Sequence, residues 1–436
     1  MAESPADRQI LLIYPDAVGP RMGGVGIRAT ELAKVLRSYG EVTLAVAQGE
    51  GDWDFPLAVF NPHDPRALAP HIERADVVVS RPLWPLAMQM LRRSGARLIF
   101  DLYDPETIPT IEHYAGRSQL RRKLMAAFAT DRLSESIRIG HHFACIDDSQ
   151  RDFLLGVMLA EGAISPALYD RDRTLRSVID VVPFGVDPEP PRRSDHPGIR
   201  AAFPEIGPDD EIVLWNGGIW DWFDAPTAIR GVIALAERRP SVKLVFMVSF
   251  GPEHRAAHEA RTLAEQLRAM GKSVFFSDSW VPYQRRGDWL LDADCAVSTH
   301  IEQADFRAFR GRLLDCFWAG LPIVCTEGGD LGRRIEQEGL GIAVPEGDVE
   351  AVAAGLEQVL DGGKGAYAEG LRRAAAEFAW TTVSRPLVRF VTSEPDAPRL
   401  SRDRIHGRIP SALRSAGYRG VRRCLNLIGL SNWPKA

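Results

Sequence analysis

The 436 residues contain no apolar run of about 18 residues, the length a membrane span requires. The first ten, MAESPADRQI, also lack the apolar core and cleavage pattern of a secretory leader. Any membrane contact is therefore expected to be peripheral. Cysteine is scarce: Cys145, Cys295, Cys316, Cys325 and Cys424, an odd count with no CxxC pair. Four of them lie in apolar runs, which predicts packed, reduced thiols and a cytoplasmic protein. Several chemistries lack their motifs, namely the P-loop, GxSxG, a Ser-His-Asp spacing and GxGxxG. His254 and His258 share a helix face, but HExxH fails because Thr262 stands where a third ligand would be. Asp52 and Asp54, like Asp292 and Asp294, match a metal-holding DxD, yet three-residue patterns arise by chance and Asp294 leads into a buried strand, so no metal cofactor is expected. There is no repeat of 20 to 50 residues and no low-complexity segment. A net charge of −5 gives no reason to expect a nucleic-acid partner.

What is present is a long alternation of short apolar runs and helical segments. Gln9 to Tyr14 runs into the loop MGGVG and a helix, the strand, glycine loop and helix that open a nucleotide-binding α/β domain. Gly23 and Gly24 either let a ligand approach the backbone or make a tight turn that needs positive φ. Further strands are predicted at Val42 to Ala47, Leu57 to Phe60, Asp76 to Ser80, Arg97 to Phe100, Phe143 to Ile146 and Val178 to Val182. The strand ending at Phe100 leads into DLYDPET. Asp101 and Asp104 thus stand where parallel sheets bind ligands, and they either meet a substrate hydroxyl or cap the next segment. After VVPFGVDPEPPRRSDHPG, a linker by composition, a second alternation begins at EIVLWNGGIW. The expected architecture is α/β: two Rossmann-like, doubly wound domains, 1–190 and 191–380, facing an interdomain cleft. A third segment, 381–436, would cross back and end as a basic amphipathic tail.

The stretch 305–330 organises the second half. Arg307, Arg310 and Arg312 precede Leu313, Leu314, Phe317 and Trp318 at helical spacing, and Gly320 and Pro322 stop the helix before the apolar run Ile323 to Thr326. Cations and free amides at one helix tip suit a phosphate, and Asp315 would receive a sugar or ribose hydroxyl beside it. An i,i+3 ion pair between Arg312 and Asp315 is the plainer reading, worth roughly 0.2 to 0.5 kcal/mol.

Four passages resemble the retaining, family 4-like GT-B glycosyltransferases. They are GGVGIRATELAKVLRSYGEVTLA, VVPFGVD, WVPYQRRGDWLLDADCAVSTH and LLDCFWAGLPIVCTEGGDLGRRIEQEGLGIAVPEGD, spread over the chain to about Phe390. Two departures stand out. Of the family's glutamate pair seven residues apart, the second falls on Asp315 and the first on Arg307. The Arg and Lys of "GRLxxEKG" give way to NGGIWDWFDAP. Arg310 and Arg312 are the expected replacements. A helix N-terminus supplies about 0.3 to 2 kcal/mol, whereas each charge-assisted bond from Arg adds roughly 1.5 to 3.

The resemblance implies a nucleotide-sugar donor on the second domain, with its base near Trp280, Val281 and Pro282. The ribose would lie at Asp315 and the diphosphate at Arg310 and Arg312, and Leu314, Gly23 and Gly24 are also expected to contact the donor. Gly217 and Gly218 would lie close by, and the aromatic residues Trp215, Trp220, Trp222 and Phe223 around them either line the sugar pocket, since aromatic faces suit sugar C–H surfaces, or pack between the domains. A glycan or lipid-linked acceptor would lie near Gly23, Gly24, Asp101 and Asp104, with Arg310, Arg312 and Asp104 carrying the reaction. It implies retention at the anomeric carbon, within cell-surface polysaccharide or glycoconjugate synthesis. From Glu394 on there are nine Lys and Arg against three Asp and Glu, so the tail, and more weakly Arg117 to Met125, is expected to press on an anionic membrane or on the acidic first domain. A non-catalytic scaffold and a sugar-nucleotide epimerase remain the alternatives.

Overall fold

The computed structural model describes residues 8–104, 107, 110, 111, 114, 117–195, 197–247, 255–301, 310–393 and 400. The described residues form two compact units, one reaching Pro183 and resuming at Ser384, the other spanning Phe184–Val383. The first break thus falls inside the VVPFGVD run rather than at 190.

In the first unit the strands are β1 (Gln9–Val18), β2 (Glu41–Gly49), β3 (Leu57–Val59), β4 (Val77–Ser80), β5 (Arg97–Asp101), β6 (His142–Cys145) and β7 (Ile179–Val181). They form one parallel sheet in the order β3-β2-β1-β4-β5-β6-β7. Its central strands are apolar on both faces, as they must be when helices cover both sides. Three of the helices are α1 (Gly24–Leu36), α2 (Gln119–Ile139) and α3 (Asp148–Ala160). β1 runs past the expected Tyr14. Tyr14 pairs with Val46 and Ala17 with Gln48, so Pro15 and Asp16 form a bulge where proline has no N–H to give the ladder.

In the second unit β8 (Glu211–Trp215), β9 (Val242–Phe246), β10 (Val274–Phe276), β11 (Cys295–Ser298), β12 (Ile323–Thr326) and β13 (Gly341–Val344) pair in parallel in the order β10-β9-β8-β11-β12-β13. Helices α4 (Ala225–Ala236), α5 (Arg286–Asp292), α6 (Arg312–Ala319), α7 (Gly329–Glu338) and α8 (Val349–Gly362) belong to it. α6 buries Leu313, Leu314, Cys316 and Phe317 and ends at Gly320, whose φ of +62° is the left-handed cap glycine adopts without strain. In each sheet the order reverses once, between β1 and β4 and between β8 and β11. Ligands of open α/β sheets lie at such switch points, outside the carboxyl ends of the strands.

Beyond Val383 the helix α9 (Arg385–Thr392) packs on the first unit. Leu387 and Phe390 are buried, Phe390 stacks on His142 with centroids 4.8 Å apart, and Arg389 donates to Asp180 at 2.6 Å. Among the described residues no helix is long and apolar enough to cross a membrane. The tail 401–436 and Arg307 lie outside the described residues.

Candidate functional site

At the switch point of the second unit, β8 is followed by Asn216, Gly217 and Gly218, and the first turn of α6 stands beside them. Asn216, buried, donates its Nδ2 hydrogen to the Arg312 carbonyl at 2.7 Å. The Arg312 guanidinium returns across the same gap, donating to the Gly218 carbonyl at 2.7 Å and lying 3.7 Å from the Phe223 ring centroid. Gly217 has φ +128°, a conformation side chains resist, and a Cβ there would sit 3.6 Å from that guanidinium. The loop is tied down at its far end. Asp224 N–H donates to the Thr299 carbonyl at 3.0 Å, Thr299 Oγ1 donates back to the Asp224 carbonyl at 2.6 Å, and Phe223 sets its edge against His300 at 4.6 Å. Arg312 is therefore a preorganised cation on the first turn of a helix, stacked on an aromatic face.

Arg310 behaves differently from expectation. It precedes α6, is 5% exposed, and donates to the carbonyls of Thr326 and Glu327 in the loop between β12 and α7. That loop turns through Gly328 and Gly329 at φ +86° and +58°, and a Cβ on Gly332 would lie 3.0 Å from the Arg310 guanidinium. The side chain holds the loop instead of facing outward from the helix mouth, because backbone carbonyls take its hydrogens.

Asp315 pairs with a partner that sequence reasoning missed. Arg286 of α5 donates to it at 2.8 Å, with the guanidinium 3.7 Å over Tyr283 and 4.3 Å over Trp318. The i,i+3 pair with Arg312 is not the one formed; the only cue to Arg286 was its place between aromatic residues. The Asp315 side chain stays 27% exposed, enough to meet a ligand, whereas Leu314 is core. Val281 is buried, Trp280 packs against the same core, and Pro282 caps a short 3₁₀ turn, which leaves backbone as the polar surface of that loop. Trp215 is wholly buried, so it lines no pocket. Trp220 and Trp222 are exposed and stack on each other at 5.6 Å. Asp224 caps α4 by accepting from Thr227 N–H, and Asp221 pairs with Arg255 at 3.1 Å.

In the first unit Asp101 is not available to a substrate. It is 1% exposed and receives two hydrogen bonds from Arg28, at 2.7 and 2.9 Å, and one from Tyr14 Oη at 2.6 Å. Arg28 also donates to the carbonyls of Val182 and Pro183. Burial and then the Asp101 carboxylate push the Tyr14 phenol well above its ordinary value. Arg28 lies in the GGVGIRATELAKVLRSYG passage, but nothing in the sequence there reveals a pairing across 73 positions. Asp104 is the accessible carboxylate: its side chain is 45% exposed and lies 3.3 Å from Arg81, which follows β4. Asp16, in the β1 bulge, completes a row across neighbouring strand ends, and burial raises its carboxyl above the usual range. Gly23 and Gly24 are exposed. Gly23 has φ −86°, so the positive φ that a tight turn would impose is not found there.

The DxD patterns are structural. Asp294 accepts from Ile212 N–H at 2.7 Å at the start of β8, Asp292 accepts from Ile199 N–H at 2.7 Å, and Asp54 pairs with Arg37 at 3.1 Å. Among the described residues no group of three or more His, Cys, Asp or Glu is placed to hold a metal ion.

The family Glycosyl transferases group 1 matches residues 211–362, the body of the second unit. No curated protein matches the sequence. Among solved structures, WaaG, a glycosyltransferase involved in lipopolysaccharide biosynthesis, shares 16% identity, with a TM-score of 0.59 over 88% of this chain and 100% of its own. HepE from Anabaena, in complex with UDP-glucose, shares 14% identity with a TM-score of 0.63 over 88% of this chain and 99% of that one. Sucrose-phosphate synthase from Thermosynechococcus elongatus shares 16% with a TM-score of 0.55, covering 87% and 97%. Both sheets are those of the GT-B fold, and the second unit matches the Glycosyl transferases group 1 family over residues 211–362.

Proposed function

We propose that the protein transfers a sugar from a nucleoside diphosphate to a glycan or lipid-linked acceptor, with retention, in cell-surface polysaccharide or glycoconjugate synthesis. The carrying observation is Arg312, fixed between the Gly218 carbonyl and the Phe223 face on the first turn of α6. The diphosphate lies there, the ribose at Asp315 beside Arg286, and the base along the backbone of residues 280–282. A departing diphosphate gains negative charge in the transition state, and a preorganised guanidinium meets that charge without reorganising. This is the chemistry that replaces the absent Arg and Lys pair, with one half-buried cation instead of two. It requires no metal. The acceptor lies on the first unit by Asp104, Gly23 and Gly24, and attack on the donor's own face is assisted by the leaving phosphate.

HepE supports the reading, since the structure of that protein was obtained with UDP-glucose. The basic start of α2, with Arg121, Arg122 and Lys123 beside Leu120 at 67% exposure, supports peripheral docking on an anionic membrane by this element and the tail.

A screen of sugar nucleotides, reading nucleotide release with and without added glycans, tests the proposal. One donor should be turned over, and Arg312→Ala should slow that turnover about 10² to 10³-fold. No turnover and no stabilisation by any nucleotide would favour a scaffold, to which Arg310's inward turn also points. Donor conversion without acceptor would identify an epimerase. Flotation with anionic and neutral liposomes separates membrane docking from a tail that packs on the protein.

A further inference from the structure

Asn216 is the last residue before the two glycines that follow β8, and its two amide ends are treated differently. Nδ2 must face the Arg312 carbonyl, because a carbonyl accepts only, so the orientation of the amide is fixed by its partner. Oδ1 is sealed from bulk water and has no hydrogen-bond partner. Leaving such an acceptor unmet costs about 1 to 3 kcal/mol. Most buried polar groups in folded proteins are paired, so the exception calls for a reason. This acceptor stands beside the first turn of α6, at the switch point between β8 and β11, where the fold places ligands.

The chemistry of the missing partner is narrow. A phosphate oxygen at neutral pH accepts hydrogen bonds and repels another acceptor, so the diphosphate that suits Arg312 does not suit Asn216 Oδ1. A hydroxyl does suit it. The order of the elements says which hydroxyl. Asp315, with Arg286 of α5, lies on the side of Arg312 that faces the 280–283 loop, whereas Asn216 lies on the β8 side, with Gly217, Gly218 and the Trp220 and Trp222 pair. We infer that Asn216 Oδ1 accepts a hydrogen bond from a hydroxyl of the transferred sugar and helps to select that sugar. The two glycines that follow give the loop the backbone freedom to admit it. The inference rests on the reading of Arg312 as the diphosphate site.

The test compares binding of a nucleoside diphosphate with binding of its sugar nucleotide, using UDP with UDP-glucose, GDP with GDP-mannose and ADP with ADP-glucose. Calorimetry on the full chain gives the ratio of the two affinities for the pair that binds. Asn216→Ala disturbs Arg312 in both members of the pair alike, so the ratio isolates the sugar. It should shift against the sugar nucleotide by about 5- to 150-fold. Asn216→Asp keeps an acceptor and should preserve the ratio within about threefold, even where both affinities fall. On the unaltered protein, one monodeoxy analogue of the bound sugar nucleotide should lose the same factor, a measurement that does not depend on any variant folding. Equal losses for diphosphate and sugar nucleotide in Asn216→Ala, or no deoxy position that matters, overturn the inference and leave the diphosphate site standing. Failure of every diphosphate to bind the unaltered protein removes both.

Discussion

Arg28 and Asp101 show how one buried pair can hold a unit together without touching a substrate. Both side chains are inaccessible, and Arg28 links α1 to the ends of β5 and β7 through Asp101 and the carbonyls of Val182 and Pro183. Removing one partner leaves the other charge buried and unpaired, so Arg28→Ala should destabilise the first unit by about 3 to 5 kcal/mol in denaturant unfolding. Asp16 gives a pH signature. Burial raises its carboxyl, with the Ala17 N–H and Arg81 opposing, so folding disfavours the ionised form. Its contribution is therefore most favourable at acid pH and is lost as pH rises from the ordinary carboxylate range through the raised value. Asp16→Asn should melt higher than the unaltered protein at pH 8, and this advantage should vanish near pH 4. The cysteines supply a third check. Cys145, Cys295, Cys316 and Cys325 are buried, and burial raises all four thiols, Cys325 to about 12. None of the four should react with a maleimide at pH 7.5 in the folded protein, and all should react in guanidinium.

At the scale of elements, the period and apolarity of the strands were legible because parallel strands covered on both faces must be continuous apolar runs. The second-unit helices were legible too, since Gly320, Pro322 and the apolar spacing delimit α6 without help from the rest of the chain. Side-chain partners were not legible. Arg310 looks like Arg312 in sequence, and only the path of the β12 to α7 loop decides that one faces Thr326 and Glu327 while the other faces Gly218. Glycines look alike in the same way. Of Gly23, Gly24 and Gly26, it is Gly26 where space is forced, because a Cβ there would lie 2.3 Å from the Ala17 carbonyl oxygen of β1. Gly26→Ala should push α1 off β1 and lower the melting temperature, whereas Gly23→Ala, with nothing within 4 Å, should not. Arg310→Ala should loosen the loop at a cost of at least about 2 kcal/mol, because its bonds to carbonyls are charge-assisted and buried.

For the molecule as a whole, α9 belongs with the first unit although it follows the second in sequence. Its apolar face, Leu387, Phe390 and Val391, is wholly buried, and Arg389 adds the bond to Asp180. No local pattern in RPLVRFVT announces where this return of the chain lands. The function assigned to the molecule depends on a single cation held ready on α6. Calorimetric titration of the full chain with UDP, GDP, ADP, CDP and TDP, repeated on Arg312→Ala, measures that dependence directly. One diphosphate should bind the unaltered protein and should bind the variant about 10- to 150-fold more weakly, with the fold unchanged. Equal affinity in the two proteins, or no diphosphate binding to either, would contradict the account.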